Sequence, residues 1–86
     1  MRIKNDEAKG IIQRAFAPLD CAVEQTVSGD PIRFEVRTTA PTAVVFRETA
    51  GVPHATYSDA NLLKIYLENV REQIEKGGHK LAALTI

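Results

Sequence analysis

Cysteine occurs once in the chain, at Cys21, and histidine twice, at His54 and His79. One thiol cannot close an internal disulfide, and three scattered N and S ligands do not form the clustered spacing that holds zinc. Charge of one sign is equally lacking. Eleven basic and eleven acidic side chains cancel, and the isoelectric point of about 6.7 lies well below the value of ~9 that marks a dedicated nucleic-acid domain. No apolar run approaches the ~20 residues needed to cross a bilayer. The opening MRIKNDEAKG has no apolar core of the kind a secretory signal carries. These absences point to a reducing, cytoplasmic setting without membrane contact. A chain of 86 residues has room for one domain, and a domain of that size buries only about 60% of the surface its unfolded form exposes.

Catalytic sets are missing as well. A cysteine nucleophile needs a thiolate and a base within hydrogen-bond reach. The two histidines flank opposite ends of the last helical pattern, about 30 Å apart along a straight helix, so at most one of them can neighbour Cys21. Alternation places Cys21 on the same strand face as Val23, and an unpaired cysteine there is expected to pack as a small hydrophobe. No two carboxylates share an apolar context that would raise one pKa for acid catalysis. Gly77-Gly78 lacks the strand-to-helix setting of a phosphate loop, and no dinucleotide fingerprint occurs. The reading is a protein that is not an enzyme and needs no cofactor.

What is present is a periodicity that changes along the chain. Asn5 is placed to cap a helix with Asp6 and Glu7 in its first turn, where acids suit the positive end of the helix dipole. Ala8, Ile11, Ile12, Ala15 and Phe16 recur at helical spacing, and Pro18 ends the run. Gly10 weakens it by about 1 kcal/mol relative to alanine. From Cys21 to Val27 the period becomes two, with Cys21, Val23 and Val27 on one side. Ser28-Gly29-Asp30-Pro31 supplies a turn. Ile32, Phe34 and Val36 then alternate with Arg33, Glu35 and Arg37 as a second strand. After a break over Thr38 to Pro41, Val44, Val45, Phe46 and Thr49 suggest a third strand that fades at Gly51-Val52-Pro53.

Ser58 is the expected cap of the last helix, with Tyr57 and Leu62 at staple spacing. Leu63, Tyr66, Leu67, Val70 and Ile74 trace its buried face. Lys64 with Glu68, Arg71 with Glu75, and Glu72 with Lys76 fall four apart on wetter surface, and Gly77-Gly78 stops the helix. The apolar segment HKLAALTI, residues 79–86, can add a strand, dock on the sheet or arm a partner subunit. The expectation is therefore an α+β domain over residues 1–78, ordered helix, three antiparallel strands, helix, with both helices on one sheet face.

On the other face, Arg33 and Arg37 come from the second strand and Arg47 joins them from the third. Three guanidinium groups on one sheet can bind phosphate or an acidic protein patch. The competing reading is that Glu24, Glu35 and Glu48 neutralise them as cross-strand pairs worth ~0.2–1 kcal/mol each.

The element order is similar to that of double-stranded RNA-binding domains, which place lysines at the start of the last helix to straddle phosphates. That position here reads SDANLLK, with Asp59 where positive charge is wanted. The run IIQRAFAPLDCAVE resembles the opening of a small uncharacterised bacterial domain family common in pseudomonads. Gly51-Val52 and Leu62 to Ile74 follow that family's loop and terminal helix loosely, and the resemblance implies a compact cytoplasmic domain without assigned site residues. Taken together, these features lead to the expectation of a small non-enzymatic interaction or regulatory protein. Its partner is another protein or a second copy of the chain, met through the exposed sheet face, with Arg33, Arg37 and Arg47 as the candidate surface, or through the apolar C-terminal segment Leu81 to Ile86. The alternative is a nucleic-acid-binding module using the same sheet face.

Overall fold

The computed structural model describes residues 2–38 and 42–84. The order is α1 (Asn5–Arg14), β1 (Asp20–Glu24), β2 (Ile32–Arg37), β3 (Val44–Val52), α2 (His54–Tyr57) and α3 (Ala60–Lys76). The strands form one antiparallel sheet in the order β1-β2-β3. Helices α1 and α3 bury their apolar stripes against one face of it, so the α+β architecture expected from the sequence is the one adopted.

Asn5 does not cap α1. Lys4 holds the capping position without a side-chain bond, and the Asn5 carboxamide turns away to meet Gln25 in a reciprocal pair, each bond 2.8 Å long. The Asn5 oxygen also accepts from the backbone N–H of Gly29 at 3.1 Å and from the Tyr57 hydroxyl at 3.0 Å. Gln25 reaches on to the Asp30 carbonyl at 2.8 Å. A part-buried amide pair with several donors offers Asn5 more than one local N–H, and the long-range arrangement wins. This network also shortens β1. The strand ends at Glu24 because Gln25 turns into the network, and Val27 projects into solvent instead of joining Cys21 and Val23.

The register pairs Cys21 with Val36 and Val23 with Phe34 on the inner face. Phe34 is the hub of the core, stacked on Phe16 and Phe46 at 5.4 and 5.6 Å and meeting Tyr66 edge-on at 6.3 Å. The third strand runs further than expected, through a fully buried Val52 opposite Ile32, with register shifts near both of its ends. Gly51 permits this. Its φ is +91°, and a Cβ there would lie 2.7 Å from the Pro31 Cβ.

The junction before α3 also differs from expectation. Tyr57 belongs to the short helix α2 and is fully buried, while Leu62 is exposed, so the two form no staple. Asp59, not Ser58, caps α3, accepting from the N–H groups of Asn61 and Leu62 at 2.9 and 3.1 Å. Ser58 is engaged elsewhere: its carbonyl accepts from the Ile3 N–H at 2.8 Å. Of the three charged pairs expected along α3, only Glu72 with Lys76 closes among the described residues, at 3.4 Å.

Arg71 is buried, not solvated beside Glu75. Its guanidinium donates to the carbonyls of Ala15 and Ala82. Ala82 in turn donates its N–H to Ala17 at 2.7 Å, and Leu81 and Leu84 pack on the core. The segment after Gly78 therefore docks at the end of α1 through Arg71 and forms no strand over residues 79–84. Residues 85 and 86, like 39–41 in the break before β3, lie outside the described residues.

Candidate interaction surface on the outer sheet face

Strand alternation sends Arg33, Glu35 and Arg37 of β2 to the face opposite the helices. The register then sets Glu24 beside Arg33 and Arg47 beside Glu35. The structure thus brings Arg33, Arg37 and Arg47 onto one surface, as the sequence predicted, and gives each a carboxylate. Arg33 meets Glu24 at 3.1 Å. Glu35 lies between the other two. One of its oxygens receives the Nε and Nη2 of Arg47 at 2.7 and 2.6 Å, and its second oxygen is 3.3 Å from the Nε of Arg37. That last contact is electrostatic only, because the Arg37 N–H does not point along a hydrogen-bonding direction.

Glu48 departs from its expected place. It is paired with Phe34 on the inner side of the sheet and accepts a hydrogen bond from the Tyr66 hydroxyl. Burial, followed by that bond and the adjacent negative charge, raises the Tyr66 hydroxyl above the ordinary tyrosine range.

Between the strands the outer face is concave. A groove of about 580 Å³ is lined by Ala22, Glu24, Arg33, Glu35, Arg47 and Thr49, among others. A smaller hollow of about 210 Å³ shares Arg33 and Thr49 and continues toward Asp30 and Pro31. The lining alternates in charge, so the groove offers donors and acceptors side by side, with no continuous cationic track.

Cys21 lies on the opposite side, 4% exposed within the core. Its thiol is pushed up to about 12, mainly by burial and secondarily by the charge of Asp20, with Arg37 acting in the other direction. A thiol held protonated in this way is a packing group, as the strand alternation implied. His54 sits in α2 with its ring edge-on to Tyr57 at 5.2 Å, and His79 follows α3. Among the described residues no group of three or more His, Cys, Asp or Glu side chains could hold a metal ion, and no helix is long and apolar enough to cross a membrane.

Sequence reasoning missed two features. Glu35 serves two arginines at once, a consequence of the β2–β3 register that alternation alone does not specify. The Asn5–Gln25–Tyr57 network has no local signal, since its members are 20 and 52 residues apart. No protein-family model matches the chain, and comparison with curated proteins and with solved structures returns no match.

Proposed function

We propose that the chain is a small non-enzymatic interaction or regulatory protein that recognises a partner protein across its outer sheet face. The observation that carries this reading is the alternation of charge around the groove. Arg33–Glu24 and Arg47–Glu35 present both signs within one concave surface, with Arg37 beside Glu35 outside the groove. Such a surface suits a protein segment of mixed charge, which can exchange partners with each pair, better than a uniform polyanion. The C-terminal segment is less suited to the task, being held against the body by Arg71 and Ala17.

The test compares the wild-type chain with Arg33→Glu by cross-linking and affinity capture from the native host, with circular dichroism to verify the fold of each. A partner captured by the wild type and lost with Arg33→Glu supports the reading. Equal capture by both, or no capture, overturns it. A salt titration of duplex RNA and DNA binding addresses the nucleic-acid alternative. A steep slope that shrinks in the arginine variant would replace the protein partner with a phosphate backbone.

A further inference from the structure

A second contact surface, separate from the outer face, lies under the segment that follows α3. Residues 79–84 run without regular structure past the end of α1. Ala82 is anchored there through both of its backbone polar groups. Its N–H donates to the Ala17 carbonyl at 2.7 Å, and its carbonyl accepts from Arg71. The Arg71 guanidinium is itself buried and also holds the Ala15 carbonyl. Leu81 and Leu84, before and after the anchor, pack half-buried against the core. An acceptor, a charged donor and apolar ground for two leucines thus form a complete seat for one short segment.

The tether to that seat is built quite differently. The last turn of α3 closes with the N–H groups of Gly77 and Gly78 donating to the Ile74 and Glu75 carbonyls at 3.1 and 3.0 Å. Beyond them, among the described residues, no hydrogen bond holds His79 or Lys80. Gly78 has a φ of +96° and open space where a Cβ would stand, so the chain can leave the helix along another path without meeting a side chain. The hydrogen bonds that keep the segment in place are therefore made beyond Lys80, to groups of the body. Exchanging the segment for an identical one alters the path of residues 78–80 and forfeits none of those bonds.

We infer that residues 79–84 are an exchangeable arm: in concentrated solution the arm of one chain fills the seat of a second, whose own arm fills the first. The occupant is not an unknown partner, because the segment that sits on this seat within one chain is the segment a second copy brings. Its backbone groups and its two leucines match the seat in the same way from either chain. Extended, the stretch from Gly78 to Ala82 reaches about 13 Å, so the two copies must meet seat to seat, within about twice that distance. Their formal net charge of zero imposes no overall repulsion. Each chain's own arm competes at an effective concentration on the order of 1 mM. The exchanged dimer is accordingly weak and reversible, and refolding concentrated chains favours it.

Cross-linking between two differently marked full-length chains tests this. Ala17→Cys marks the seat and Ala82→Cys the arm, both in a Cys21→Ala background. The two chains are refolded together at ~1 mM and treated with a short bismaleimide. Seat-to-arm dimers should form, and refolding at about a hundredfold lower concentration should suppress them. A single chain carrying both cysteines should cross-link internally, which verifies that the variants fold and that the two positions are within reach. Ala22→Cys, exposed on the outer face, replaces Ala17→Cys as the control for random collision. Sedimentation of the wild-type chain refolded at the higher concentration should show a species of twice 9.5 kDa. Internal cross-linking without an intermolecular product overturns the inference. So does an intermolecular yield no higher than that with Ala22→Cys, and so does failure of the internal cross-link, since the arm would then not occupy its seat. Arg33→Glu should leave the yield unchanged, which separates this result from the fate of the partner-protein reading.

Discussion

Removing the Tyr57 hydroxyl gives the most direct test of how the fold is tied together. That hydroxyl has one proton, shared between the Asn5 oxygen at 3.0 Å and the Asp30 carbonyl at 3.2 Å. In Tyr57→Phe both acceptors keep other donors. Asn5 still accepts from Gln25 at 2.8 Å and Gly29 at 3.1 Å, and Asp30 from Gln25 at 2.8 Å. The variant therefore loses that shared donor bond and the long 3.4 Å bond the hydroxyl accepts from the Gln25 amide, which keeps its other two acceptors; nothing is orphaned, and the cost is about 1 kcal/mol. For a domain of this length that lowers the melting temperature by about 4–8 °C.

Gln25→Met removes the donor to both acceptors and leaves the Asn5 amide nitrogen without its 2.8 Å partner. Its cost should reach about 2–3 kcal/mol, because a part-buried donor then goes unsatisfied. In that background the Tyr57 hydroxyl is the remaining side-chain donor to Asp30, so Tyr57→Phe should now cost at least ~0.5 kcal/mol more than it does alone. Urea denaturation of the two single variants and the double variant closes the cycle. If Tyr57→Phe costs the same in both backgrounds, or less in the second, the two side chains do not share their acceptors and the network reading is refuted.

Four further perturbations have definite signs. Gly10→Ala should stabilise the chain by up to ~1 kcal/mol, since the new Cβ meets only the mobile tip of Arg14, at 3.2 Å. Gly51→Ala should destabilise it by more than ~1 kcal/mol, because the strained φ and the 2.7 Å approach to Pro31 act together; thermal melting of both variants decides. The Cys21 thiol, pushed up to about 12, binds its proton more tightly in the folded chain than in the unfolded one. Its contribution is therefore complete below the ordinary thiol value and is lost as the pH rises through about 9 toward 12. Urea midpoints should fall across that alkaline window, less steeply in Cys21→Ala, and a window unchanged by the substitution would count against the burial argument. Arg71→Met keeps the aliphatic bulk but removes the donors to Ala15 and Ala82. Tryptic cleavage after Lys80 should accelerate on the order of tenfold, because a charge-assisted bond of about 1.5–3 kcal/mol no longer holds the segment closed; an unchanged rate would show that Leu81, Leu84 and the Ala17 contact suffice.

The elements that sequence made legible are those whose signal is periodic. The stripe Ala8, Ile12, Ala15 and Phe16 is buried, as is the alternation Ile32, Phe34 and Val36, and Leu63, Leu67, Val70 and Ile74 lie against them. Errors fell where a polar side chain had to choose between a local and a distant partner. Asn5 prefers Gln25 to its own helix, and Arg71 prefers backbone carbonyls to Glu75. Asp59, one residue later than expected, caps α3 because Ser58 is committed to Ile3 and α2. Periodicity reports which residues share a face, but it is silent about contacts between segments far apart in sequence. The gathering of Arg33, Arg37 and Arg47 was legible for the first reason, while the double role of Glu35 was not for the second.

The same distinction governs how the outer face can act. Each exposed ion pair there contributes only about 0–1 kcal/mol to stability, so a ligand separates it at little cost. Separation does not remove the carboxylates, however. Glu24 and Glu35 stay beside the arginines and repel a phosphate backbone at short range. A protein segment carrying both signs can instead replace the Arg33–Glu24 and Arg47–Glu35 pairs with intermolecular ones. On the partner-protein reading proposed above, the groove would select in that exchange for a pattern of charge, in which the excess of either sign matters less than its spacing along the strands.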